Sequence, residues 1–347
     1  MRKVALFVLV LVALAFLGAL FQGVATALDS RRFPPPGQLV DLGGHKLHLR
    51  CYGEGSPTLL FEAGAGGSSL DWAAVEPLIA GLTRTCLYDR AGLGWSEPAP
   101  NRSAPTSGRV AEQLHLLLER AGEKGPFVLV AHSLGGLHAQ VFAGAYPELV
   151  AGLVLVDPTR SDPIGPARGI MTAAEVAAVE GVIARGNALI ATMGKVQAWL
   201  YRLGIARLMA LAGTGTTARL AAQVPEPMRG AYRAVNLRTQ VPVTALREIQ
   251  GTATSAEEAA RVGSLGETPV ALLRPVQEPG GGAPEGFSPE LAAKMSAYAD
   301  QEEVLDRSAN GRLIAVPGSG HYIQLDQPSA VAEAIRGVLG VARKGGL

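Results

Sequence analysis

Residues 128–136 read VLVAHSLGG, an apolar run that stops at a histidine, a serine and two glycines. Val128 to Ala131 suit a strand buried on both faces, and LHAQVFAGAYP, which follows the serine closely, suits a helix. Ser133 therefore stands on a sharp strand-to-helix turn. Such a turn forces its central residue into strained backbone angles, so the neighbours must be small. Ala131 lies two before the serine, Gly135 two after it, and Gly136 lets the new helix pack closely. The pattern is G-x-S-x-G with alanine in the first place, a form that presents a nucleophilic hydroxyl at a strand end. A serine that only caps a helix reads the same way. The rest of the chain has to discriminate.

Outward from this stretch, KLHLRCY, TLLFEAG, TRTCLYD and VAGLVLVDP read as further strands, with a helix over Val110–Ala121 between two of them. Nearly continuous apolar runs that alternate with helices predict a mostly parallel sheet covered on both faces. From about Arg160 to Gly266 the chain turns alanine-rich and helical in period, with no clear strand. Its strongest piece is KVQAWLYRLGIARLMALAG, where Val196, Trp199, Leu200 and Leu203 fall on one apolar stripe. Strands return at TPVALLR and GRLIAVPG, and a last helix closes the chain. A helical block set between two sheet strands predicts a cap over a site.

A serine nucleophile needs a base, and in this fold's chain order of Ser, acid, His the base must lie downstream. VPGSGHYIQLDQP supplies His321 on a glycine-flanked loop after the last strand, where sites form in open α/β sheets. His45, His48, His115, His132 and His138 read as structural. Taken together, FEAGAGGSSLDW, YDRAGLGWS, AHSLGG, LVLVDP and GSGHYIQLDQP resemble the α/β-hydrolase superfamily in order and approximate spacing, over about residues 38–341. The resemblance implies an eight-stranded, mostly parallel sheet flanked by helices, with the cap inserted after the sixth strand. It also implies a Ser–His–acid triad, hydrolysis of an ester or related acyl bond, and no cofactor or metal.

Carried onto this chain, the resemblance makes Ser133 the nucleophile and His321 the base. The turn Ala63-Gly64-Ala65-Gly66-Gly67 resembles the family's oxyanion loop, with alanine where histidine is frequent. The hole is assigned to the backbone N–H of Ala65 and of Leu134. Its glycines lack the Lys-Ser/Thr ending of a phosphate-binding loop. Asp89 and Arg90 are expected to shape a nearby loop. Two acids compete for the third place: Asp157, which ends the sixth strand, is favoured over Glu278, which sits among proline and glycine after the seventh. Serine at the elbow rules out the aspartate nucleophile of dehalogenase and epoxide-hydrolase relatives. An acyltransferase on the same fold is a close rival, and a non-catalytic membrane-tethered binding protein a distant one.

Of 347 residues, 48% are hydrophobic and 18% charged, with a net charge of +1 and no basic block, so nucleic acid is not an expected partner. A small or lipid-like acyl substrate is. The apolar excess is concentrated in residues 1–28, where Arg2 and Lys3 precede about 25 uncharged residues, enough to cross a bilayer. The stretch exceeds a usual signal core, which favours a retained membrane anchor, although Ala25-Thr26-Ala27 also fits a cleavage site. Either way the bulk of the chain is expected outside the cytoplasm, membrane-anchored or else secreted or periplasmic. A proline-rich linker over 29–37 leads into a core of 38–159 and 267–347, with the cap at 160–266. The two cysteines, Cys51 and Cys86, fall on strands that are neighbours in the fold this chain resembles. In an oxidising compartment they are expected to form a disulfide.

Overall fold

The computed structural model describes all residues except Arg102, Pro163, 277–287, Pro289, 292–293, 295–302 and 346–347. Eight strands form one sheet in the order β1-β2-β4-β3-β5-β6-β7-β8. They are β1 (Gln38–Asp41), β2 (Lys46–Tyr52), β3 (Thr58–Glu62), β4 (Thr85–Tyr88), β5 (Phe127–His132), β6 (Val150–Val156), β7 (Val270–Pro275) and β8 (Gly311–Val316). β2 runs antiparallel to β1 and to β4, and the pairs from β4 through β8 are parallel. Parallel strands need crossover connections that cover the faces of the sheet. Side chains of β5 are all buried and alternate between the faces: Phe127, Leu129 and Ala131 pack on one, while Val128 and Val130 pack on the other.

The helices before the cap are α1 (Arg2–Arg32), α2 (Glu76–Ile79), α3 (Ser107–Ala121) and α4 (Leu134–Ala145). Those of the insert are α5 (Ala173–Arg202), α6 (Ile205–Leu211), α7 (Gly215–Gln223), α8 (Arg229–Asn236) and α9 (Val241–Ala260), and the short α10 (Glu303–Asp306), α11 (Ile323–Asp326) and the longer α12 (Pro328–Lys344) follow. α3 and α4 cover the first face through Leu114, Leu117, Leu118 and Phe142. α12 covers the second through Val331, Ile335, Val338 and Leu339. The sulfurs of Cys51 and Cys86 are bonded, on directly opposed residues of β2 and β4.

Two expectations change. The first helix does not stop at Leu28 but runs on through Arg32, four residues into the expected linker, and ends just ahead of Pro34. Its last turns are held by the cap: Arg207 bonds Gln22 at 3.0 Å and Asp29 at 2.5 Å, and Gln22 donates to the Leu237 carbonyl at 2.7 Å. The stripe in residues 195–213 also differs, because Gly204 takes a left-handed conformation and splits the piece into α5 and α6. That stripe does not face a core. Val196 is 49% and Trp199 60% exposed.

Candidate active site

β5 ends at His132, and Ser133 begins the turn into α4 with φ 52° and ψ −123°, a combination unusual for any residue but glycine. What keeps it there is a set of three backbone bonds. Its N–H donates to the Val156 carbonyl at 3.1 Å, and its own carbonyl accepts from Gly136 at 2.9 Å and Thr159 at 3.0 Å. The small neighbours are required by contact. A Cβ on Gly135 would lie 2.6 Å from the Ala63 carbonyl, and one on Gly136 would lie 2.6 Å from the Pro158 Cβ.

Asp157 follows β6 and also has positive φ, 39°. Its N–H donates to the Leu273 carbonyl at 2.9 Å, so the end of β6 is tied to Ser133 on one side and to β7 on the other. His321 comes from the loop after β8. Its Nδ1 lies 2.6 Å from Asp157 Oδ2 and its Nε2 lies 2.9 Å from Ser133 Oγ. The structure thus brings together Ser133, His321 and the favoured acid, from the carboxyl ends of β5, β8 and β6. Glu278 lies outside the described residues.

Burial works to raise the Asp157 carboxyl, but hydrogen bonds from His321 and from Arg274, at 2.6 Å, hold its pKa below the ordinary value. An ionised Asp157 accepts the Nδ1 proton of His321, which leaves Nε2 as the acceptor facing the serine hydroxyl. Such a chain of bonds can draw a proton from Oγ when the oxygen attacks an electrophile.

Beneath His321 lies His132. Burial, reinforced by His321 nearby, lowers its pKa to about 3, so the ring is neutral. Its Nε2 bonds the His321 carbonyl at 2.9 Å and thereby fixes the backbone that carries the base. A Cβ on Gly64 would come within 2.7 Å of the other ring nitrogen, so only glycine lets the β3 loop pass here.

The loop itself is braced by a buried ionic group. Arg90 donates to the carbonyls of Ala63 at 2.7 Å and Gly64 at 2.6 Å, and it pairs with Glu62 and with Glu248 of α9. Glu248 also takes the Gly66 N–H at 2.7 Å, while the Gly67 N–H goes to the Gly64 carbonyl at 3.0 Å. The Gly64 carbonyl before Ala65 and the Gly66 N–H after it are therefore held in place, which fixes the Ala65 N–H on a loop that abuts the serine. Leu134 opens α4, where helix N–H groups lack intrahelical partners. Asp89 does what was expected of it: it binds His48 at 2.8 Å and the amides of Ser69 at 2.7 Å and Trp95 at 2.9 Å.

Three positioning residues escape a reading of the sequence. Glu248 is one of three glutamates on α9 with nothing local to single it out, and Arg274 lies at the end of a strand with nothing around it to mark a role. His132 sits inside the elbow motif but reads as an ordinary buried histidine. A cavity of about 290 Å³ lies over Ser133 and His321. The β3 loop, Asp71 and Tyr322 form its floor, and Gln197, Tyr201, Tyr232 and Asn236 of the cap form part of its wall.

Comparison with known proteins fits this geometry. A 125-residue stretch is 34% identical to a probable transporter, efuK, of Hormonema carpetanum, covering 34% of this chain but only 18% of that protein. The chain thus spans less than a fifth of that relative's length. An AB hydrolase superfamily protein of Gibberella zeae is 22% identical over 309 residues, 83% of this chain and 87% of its own. Among solved structures, a haloalkane dehalogenase loop variant from Bradyrhizobium elkanii superposes with a TM-score of 0.61 at 19% identity, covering 89% of this chain and 98% of its own. The profile of the alpha/beta hydrolase family matches residues 59–334. That span takes in the elbow serine, the acid, the cap and the histidine, and the chain belongs to the alpha/beta hydrolase family.

Proposed function

We propose that this protein is a serine hydrolase that cleaves a carboxylic ester or a related acyl bond. The observation that carries the reading is the unbroken chain of hydrogen bonds from Ser133 Oγ through His321 to Asp157, set on a strained elbow under a capped cavity. Ser133 Oγ attacks the acyl carbon while His321 Nε2 takes the hydroxyl proton. The negative charge that develops on the carbonyl oxygen meets the N–H groups of Ala65 and Leu134. The tetrahedral adduct collapses, the carbon–oxygen bond to the leaving alcohol breaks, and His321 returns the proton to that alcohol. Water then gives a proton to His321 and attacks the acyl-serine, which releases the acid and restores Ser133.

A fluorophosphonate probe tests the reading, since an activated serine displaces its leaving group and a helix-capping serine does not. Stoichiometric labelling at Ser133 is expected, and an unlabelled, folded protein would overturn the assignment. Supplying an alcohol alongside an ester separates hydrolase from acyltransferase: free acid is the expected product, whereas a new ester as the main product would favour the transferase.

We also read α1 as a membrane anchor that stays with the mature chain, with the catalytic part outside the cytoplasm. Support comes from its apolar length and from the bonds of Arg207 to Gln22 and Asp29, since cleavage after Ala27 would strip Gln22 from a buried guanidinium. The Cys51–Cys86 bond accords with an oxidising compartment. Protein purified from its native membrane should retain residues before Leu28, which N-terminal sequencing reads directly.

A further inference from the structure

The helix that would cross the bilayer also touches the cap inside the span that the bilayer requires. A hydrocarbon layer of about 30 Å takes about 20 residues of helix at 1.5 Å each. Counted from Val4, the first residue after the two basic ones, such a span ends near Gly23. The contact with the cap begins earlier. Gly18 crosses the α5–α6 corner so closely that a Cβ there would run into the Leu203 carbonyl. A Cβ on Gly204 would come within 2.8 Å of the Phe21 ring. Gly18 lies five residues inside Gly23, roughly 7 Å along the axis. The corner formed by Leu203 and Gly204 is therefore drawn to the depth at which headgroups give way to acyl chains.

What surrounds that corner suits lipid. Trp199 is 60%, Leu208 54% and Leu211 69% exposed, and all three lie within about two helical turns of Gly204. Leu189, Met193 and Val196 continue the exposed apolar surface back along α5. From Gly186 to Tyr201 the only charged residue is Lys195. Soluble surfaces seldom carry an apolar patch of this extent without a partner. The cations present stand where phosphates would be: the Arg202 guanidinium lies 5.6 Å from the centre of the Trp199 ring, and Lys195 is exposed beside Val196. An indole beside a cation is the arrangement favoured at a headgroup boundary. Nor can the corner swing away, because Arg207, buried on α6, binds both Gln22 and Asp29.

We infer that the α5–α6 corner of the cap is a bilayer-inserted surface, with the lipid of the anchoring membrane as its partner. The inference rests on the anchor reading of α1 and is independent of the chemistry at Ser133. It has a consequence for the cavity. Gln197 and Tyr201 of α5 line it, while Val196 and Trp199 of the same helix face outward. A single helix, about 10 Å thick, separates the cavity from the acyl phase.

Trp199 is its own probe, because Trp72 and Trp95 are buried. The full-length protein is reconstituted into phosphatidylcholine–phosphatidylglycerol vesicles that carry bromine either near the headgroup end of the acyl chains or near their ends. Trp199→Phe supplies the blank, and Leu208→Trp in that blank gives a second reporter should Trp199 prove silent. The Trp199 component is expected to fall roughly twofold with shallow bromine and less with deep bromine, as for groups set 5–10 Å into the boundary. Reporters that ignore both lipids, in protein that resists carbonate extraction, would overturn the inference alone. Acrylamide then tells the two remaining cases apart: quenching means a face in water, protection means a second copy of this chain on the patch. Loss of the protein from the vesicles on carbonate extraction would overturn the anchor reading and the inference with it.

Discussion

Around Ser133 the chain conceals almost everything apolar, whereas α5 and α6 leave Leu189, Met193, Trp199, Leu208 and Leu211 open. Leu129, Val130, Val154, Leu155 and Leu272 are at most 1% exposed. Both regions are rich in the same residue types. The difference lies in what each must hold: the sheet fixes a serine, a histidine and an aspartate to within hydrogen-bond tolerance, and it does so through close packing on two faces. The cap is bound to the rest of the molecule by polar ties such as Glu248 to Arg90 and Arg207 to α1, and by apolar contacts of Leu220, Val224 and Tyr232 with Leu70 and Trp95, while the outer side of α5 and α6 stays exposed.

The sharpest way to break this contrast is at the nucleophile. Ser133→Ala should lower kcat for an activated ester by about 10⁶ without moving the unfolding midpoint by more than a degree or so. Retained activity would mean that the ordered region is not the chemical one. Asp157→Asn should cost about 10⁴ in kcat through the wrong histidine tautomer, and Glu278→Gln little. The opposite ranking would move the acid to the loop after β7.

The cap's polar ties come next. Arg207→Met keeps most of the side chain's bulk but leaves Gln22 and Asp29 without their partner. A loss of about 2 kcal/mol is expected, since Asp29 is partly exposed and a fully buried broken pair costs more. Arg261→Met, at an exposed pair with Glu257, should change stability by less than about 0.5 kcal/mol. Equal effects in urea melts would deny that α1 and the cap form one unit.

A further effect is a slope in pH. Burial raises the Asp71 carboxyl, on the cavity floor, from its ordinary 3.8 to about 7. Between about pH 4 and pH 7 the folded chain keeps a proton that the unfolded chain has lost, so stability falls as pH rises across that window. The slope from this group is at most about 1.4 kcal/mol per pH unit, and it vanishes above and below. Asp157 acts in the other sense, because its lowered pKa gives stability that is lost as the pH drops below the ordinary carboxylate range. Asp71→Asn should flatten the curve between pH 4 and pH 7, and an unchanged curve would show that Asp71 titrates normally.

The sheet was legible because each strand is a short apolar run ending at a residue with a reason to be there: Ser133 after VLVAH, Asp157 after LVLV, His321 between glycine and tyrosine. Chemistry at a strand end leaves a local trace, since the turn must be small and the strand must be buried. Glu248, Arg274 and His132 leave none, because each acts by filling a place that distant segments create. The stripe Val196-Trp199-Leu200-Leu203 carries a different lesson. Its period correctly indicates a helix, but periodicity reports only that one side avoids water, and protein and lipid satisfy that demand equally well.

The tie between Arg207 and Asp29 also sets an order of events during synthesis. The two residues are 178 positions apart, with α1 made first. At roughly 5–20 residues per second the ribosome needs about ten to thirty-five seconds to deliver Arg207 after Asp29 has emerged. For that interval Gln22 keeps only Thr26 of its own helix and Asp29 lacks its guanidinium, and polar side chains so poorly paired are costly in hydrocarbon. With α1 as the anchor proposed above, the nascent helix waits with that end at the water boundary. On that reading the cap, when α6 arrives, finds its docking place already at the membrane surface.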